Sequence, residues 1–198
     1  MLTDRQLNDA NAYEESLRLA LHERELPAND RVRSSGSCLA IAQDHHHAIV
    51  VLLGTRLYAS SFALVRIAFE SYVRGEWLGL CASEADIRRF LQGKEPPKID
   101  CLLNDLENTD VFKEGALSHI KKCTRKTMCD YTHTGGLHVQ RWNTAKAIEP
   151  NYSAEEILEV LRFAEIIASL AALGVARQLS NEDLAQKLLE GFKKRVGE

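Results

Sequence analysis

Several features that would narrow function at once are missing from this sequence. No apolar run is long enough to cross a bilayer, because the longest are interrupted by Arg, Glu or Gly, and the opening MLTDRQLNDANAYEESL is polar and acidic with no apolar signal core. These absences predict a cytoplasmic protein with no membrane contact. Cysteine pairing signals are also missing. Cys38, Cys81, Cys101, Cys123 and Cys129 are odd in number, contain no CxxC pair and mostly sit in apolar helical stretches, which suits buried thiols in a reducing compartment. With a net charge of −3 and a pI near 6.2 there is no general attraction to nucleic acid, so an RNA contact would need a local patch. GxxxxGKS/T, GxGxxG after a strand and GxSxG do not occur, which removes support for nucleotide hydrolysis and serine esterase chemistry.

What is present is helical. The 198 residues are 45% hydrophobic and 27% charged, a composition for one domain over 1–198 with a full core and no repeats. A 3.6-residue periodicity runs nearly throughout, and alternating β-branched strands are absent. The pattern predicts helices over 4–25, about 37–53, 57–82, 83–91, 99–106, 111–128 and 153–179, then a last one opening at Ser180. Ser83 to Asp86 and Ser153 to Glu156 have the form of capping boxes. The expected fold is all-α, an antiparallel bundle of about seven helices with short accessory helices.

The central stretch, LYASSFALVRIAFESYVRGEWLGLCA, sets charge into an otherwise apolar helix. Arg66, Glu70 and Arg74 recur every four residues on one stripe, so Glu70 can pair with either arginine. Such a stripe can simply tie two helices together, or it can belong to a site. A second stretch, Asp130-Tyr131-Thr132-His133-Thr134-Gly135-Gly136, reads as a turn bringing Tyr131 and His133 back over the bundle. His133 is the natural proton carrier near neutral pH, Tyr131 a proton or hydrogen-bond donor, and Arg66 or Arg74 a stabiliser of developing anion, with Glu70 orienting its neighbour. Just upstream, Lys121, Lys122, Arg125 and Lys126 form a basic helix end that already suits the helix dipole. Arg74, Arg125 and Asp130 complete the candidates for holding a ligand or phosphate. His45, His46 and His47 are successive on a helix and point about 100° apart, so they cannot converge on one ion; no metal and no cofactor is expected.

With RIAFESYVRGEWL on a central helix and DYTHTGG late in the chain, the sequence resembles a group of uncharacterised bacterial helical proteins related to the HEPN superfamily. That resemblance implies a metal-independent ribonuclease of a toxin or anti-phage type, acting as a homodimer on RNA and carrying an arginine a few residues before a histidine. Here Lys126 stands at that spacing from His133 and Arg125 lies one residue beyond it. The corresponding catalytic set is His133, Arg66, Glu70, Tyr131 and Lys126. Two other classes of function stay open: a non-catalytic helical module that dimerises or binds a protein partner, which an apolar stripe left exposed on Ile157 to Ala176 would favour, and a pocket for a small anion, with Arg66 and Arg74 as its grip and Tyr72 or Trp77 as its wall.

Overall fold

The structure, a computed structural model, describes residues 1–197 except the side chains of Cys123 and Arg125. Among the described residues it is all-α. The helices in chain order are α1 (Asp4–Leu21), α2 (Asp30–Gly54), α3 (Tyr58–Leu80), α4 (Glu84–Leu91), α5 (Ile99–Glu107), α6 (Ala116–Thr132), α7 (Gly136–Gln140), α8 (Ala154–Gln178) and α9 (Glu182–Gly197). None is long and apolar enough to cross a membrane.

Local chemistry fixes most of the starts. Capping boxes form at Thr3 with Gln6, Ser83 with Asp86 and Ser153 with Glu156, each satisfying two backbone donors that the helix itself leaves open. Asn29, expected in a turn, instead caps α2, its Oδ1 accepting from Val32 N at 2.9 Å, so α2 starts seven residues earlier than its apolar pattern indicates. Ser180 does not open α9. It sits at φ 49°, and the cap is Asn181, whose Oδ1 accepts from Leu184 N at 2.9 Å.

The α2–α3 connection is a tight hairpin turned at Arg56, φ 63°. The two backbones approach closely where Ser35 Oγ donates to Gly75 O at 2.7 Å, and a Cβ on Gly75 would lie 2.9 Å from the Leu39 side chain. Arg31 closes the far end of α3, donating to Ala82 O at 2.7 Å and Leu78 O at 3.1 Å, carbonyls the helix leaves without internal donors.

α8 packs on both arms of this hairpin. Its small face does not lie open: Ala164, Ala168, Ala171, Ala172, Gly174 and Ala176 are buried. No exposed apolar stripe is left on α8, because Gly174 lies against Glu76 and Leu39 of the hairpin while Ala168, Ala172 and Ala176 pack against Leu17, Leu184 and Leu188. α1 and α9 cover the other side of α8 around Leu17, Leu184 and Leu188. α5 and α6 pack on α3, and that side of the bundle holds the charged stripe.

Candidate functional site

α3 and α6 bring Arg66 and His133 together. Arg66 Nε donates to Glu70 Oε1 at 2.6 Å, one helical turn away, and Nη1 points across to α6, 2.9 Å from His133 Nε2 and 3.3 Å from Cys129 Sγ. A guanidinium has no lone pair to offer, so Nη1 is the donor and His133 Nε2 the acceptor. Glu70, through its hydrogen bond, holds the Arg66 pKa above its ordinary value, and Arg66 is a permanent cation. Both side chains are 28% exposed, so the stripe is at the edge of the core rather than inside it. His133 itself is exposed.

Beside the cluster lies a pocket of about 100 Å³ between α3, α5 and α6, bounded by Arg66, Phe69, Glu70, Met128 and Cys129, with the Lys121–Asp100 ion pair on its far wall. Lys126 and Lys122 are exposed on α6. Lys126 and His133 are seven residues apart, so they share a face of that helix, with Cys129 beside it. A basic crest therefore runs along α6 to the imidazole.

Other candidates lie elsewhere. Tyr131 does not join His133, because the expected loop is helix: α6 continues to Thr132, whose Oγ1 bonds back to Met128 O at 2.8 Å, and residues two apart on a helix point to opposite sides. Tyr131 is buried edge-on against Phe62 at 4.8 Å and His138 at 5.3 Å, and burial, together with the Glu156 charge, pushes its hydroxyl up to about 12. Arg74 does not share Glu70. It lies by Cys38 of α2, whose thiol is pushed up by burial and pulled back by this guanidinium, and its own Nε is buried with no hydrogen-bond partner among the described residues. Tyr72 and Trp77 are core residues, with Trp77 Nε1 donating to Asp105 at 2.8 Å, so they form no wall around Arg66. Asp130 marks the turn after α6: Gly135 N donates to its carbonyl at 2.7 Å, and a Cβ on Gly135 would lie 2.8 Å from its Cα. The Arg125 side chain lies outside the described residues.

The sequence pattern of one family matches residues 39–195, a stretch that contains the whole Arg66–Glu70–Cys129–His133 cluster. The chain belongs to DUF6988, a family of unknown function. No curated protein and no solved structure matches it. Within the DUF6988 stretch the most deeply buried carboxylate in an ion pair among the described residues is one that the sequence did not single out. Glu76 is 1% exposed and pairs with Arg177 of α8, while its Oε1 has no partner among the described residues and lies against Gly174. Burial raises the Glu76 pKa, and Arg177 offsets part of that rise. Its two members are separated by 101 residues, so no helical spacing betrays them. Among the described residues there is no group of three or more His, Cys, Asp or Glu side chains able to hold a metal ion.

Proposed function

We propose that this chain is a HEPN-like, metal-independent ribonuclease of the cytoplasm that works as a homodimer and uses the Arg66–His133 pair on the phosphodiester. The observation that carries the reading is the 2.9 Å contact between Arg66 Nη1 and His133 Nε2, made between two helices by the arginine and the histidine whose chemistry the reaction needs. In the free protein Arg66 occupies the lone pair of His133. A phosphate oxygen, as a charged acceptor, competes for Nη1 and forms the stronger bond. Its arrival frees Nε2 to take the proton of the ribose 2′-hydroxyl. The 2′-oxygen then bonds to phosphorus, the bond to the 5′-oxygen breaks, and the imidazolium returns its proton to that leaving oxygen. The products are a 2′,3′-cyclic phosphate and a 5′-hydroxyl. Arg66 meets the charge on the phosphorane, Glu70 holds the guanidinium in place, and Lys126 adds positive charge along the approaching strand.

The test is incubation of the protein with end-labelled total RNA and tRNA in the presence of chelator, beside folded His133→Ala. Cleavage leaving cyclic phosphate ends, reduced roughly 100-fold or more in the variant, is the expected result, since a positioned proton carrier contributes about 10²–10⁴ in rate. Cleavage that is absent, or equal in the variant, overturns it.

A second reading rests on a different feature of the same cluster. Arg66 already has Glu70, Cys129 and His133 as partners, the arrangement of a tie that holds α6 on α3. In that case the chain is a non-catalytic module for a protein partner, RNA stays intact, and capture of the partner becomes the informative experiment.

A further inference from the structure

The α2–α3 hairpin has four sides, and the other helices account for three of them. α8 lies along both arms, with Gly174 against Leu39 and Glu76. α1 takes the outer edge of α2, where Glu14 meets His47 at 3.1 Å and Leu7 lies against Gly54. α5 and α6 take the outer edge of α3, through the Trp77–Asp105 and Arg66–His133 contacts. Nothing among the described residues covers the fourth side. Ile41, Asp44, Ala48 and Val51, spaced three or four residues apart, form its α2 half, and Ile67, Glu70 and Arg74 form its α3 half. Ile41, Val51 and Ile67 are 48%, 47% and 40% exposed, three aliphatic side chains left in water on one face.

Two charges of this face have no counter-ion inside the chain. Asp44 makes no ion pair or hydrogen bond among the described residues; Arg74 makes none either, and its Nε is buried besides. Glu70 is already held by Arg66. No lysine occurs between Asp30 and Leu80, so both arms of the hairpin lack the residue that protein interfaces most avoid, while arginine, which they favour, is present. An aliphatic centre with an unmet cation on one arm and an unmet carboxylate on the other complements itself. In an isologous contact each copy supplies the counter-ion that the other lacks.

We propose that two copies of this chain meet through this side of the hairpin, with Arg74 of each copy paired to Asp44 of the other and Ile41, Val51 and Ile67 closed against the opposite hairpin. Two helices from each copy then face one another as a four-helix bundle, hiding the apolar face that neither copy covers alone. The inference rests on the homodimer of the proposed function and says where it forms. Glu70 belongs both to this side and to Arg66, so the Arg66–His133 pairs of the two copies border the interface.

The experiment is the light-scattering mass of the full chain, 22.2 kDa as one copy, over a concentration series, with RNA cleavage assayed on the same samples. The wild type is expected at twice that mass. Ile67→Asp should raise the dissociation constant roughly tenfold or more with an unchanged melting temperature, while Leu19→Asp, at a more exposed aliphatic on α1, should leave it unchanged. Asp44→Arg should weaken the dimer about tenfold by setting like charges against one another, and adding Arg74→Asp to the same chain should restore it, since the pair is then reversed. A dimer that survives Ile67→Asp and Asp44→Arg, a folded double variant no tighter than Asp44→Arg, or equal loss in Leu19→Asp overturns this face and leaves the homodimer to form elsewhere. A wild type of single-copy mass at every concentration overturns the face and the homodimer together. A dimer that responds to these variants as expected but leaves RNA intact supports the face and overturns the ribonuclease.

Discussion

The two ionic contacts on α3, whose carboxylates Glu70 and Glu76 are six residues apart, are built to opposite specifications. Arg66 and Glu70 sit one turn apart, each 28% exposed, and the pair opens onto a pocket and an exposed imidazole. Glu76 is 1% exposed, is met by an arginine from another helix and faces a glycine. A charge at the core edge keeps part of its hydration and can change partners; one beneath α8 has given up its water and depends on a single counter-ion. The comparison separates a contact suited to work on a ligand from one suited to hold two helices in register.

The contrast breaks if the two contacts respond alike to mutation. Arg177→Ala has the largest expected effect, a loss of about 3–5 kcal/mol in urea unfolding, because Glu76 would be left buried and unpaired. Gly174→Ala should cost about 1–3 kcal/mol, since its methyl group would overlap the Glu76 carboxylate and crowd Leu39. Arg66→Ala and Glu70→Ala should each cost only about 1 kcal/mol, and less in high salt, as befits a pair with this exposure. A loss as large as that of Arg177→Ala would place the stripe in the core after all. His133→Ala should fall within about 0.5 kcal/mol of wild type, as exposed substitutions usually do, so that lost cleavage could not be blamed on unfolding.

Acidity sharpens the same comparison. The Glu76 pKa is raised in the folded chain, so the native state holds that proton more tightly than the unfolded one. Its contribution to stability therefore declines as pH rises from the ordinary carboxylate value of 4.5 through the raised folded value. Unfolding curves of wild type and Glu76→Gln measured from pH 4 upward should diverge accordingly, with the wild type losing stability relative to the variant. Parallel curves would mean that Arg177 fully compensates the burial.

Periodicity and capping residues made most of this architecture readable from the chain. Ser83 and Ser153 open their helices as their spacing with Asp86 and Glu156 indicates, and the Arg66–Glu70 contact follows from a spacing of four. The failures have local causes. Gly135 and Gly136 drew the end of α6 too early, because a glycine pair signals a turn without saying how many residues before it remain helical; Thr132 is the last, and that extra turn sends Tyr131 away from His133. Small residues on one side of α8 indicated that another helix approaches it closely, as α2 and α3 do, but their spacing did not say which helices those would be. The Glu76–Arg177 contact was illegible for a plainer reason: neither residue has its partner nearby in sequence.

Gly174 also has a consequence for the order of assembly. The α2–α3 hairpin uses residues 30–80 alone, so its closure joins segments that are neighbours along the chain, whereas α8 must return from far downstream. Until α8 arrives, nothing from that helix covers the Glu76 carboxylate. Dehydrating the carboxylate is thus a late event, simultaneous with delivery of Arg177. Gly174→Ala should then act chiefly by hastening unfolding, and substitutions at the Ser35–Gly75 contact chiefly by slowing folding, a division that stopped-flow traces would resolve.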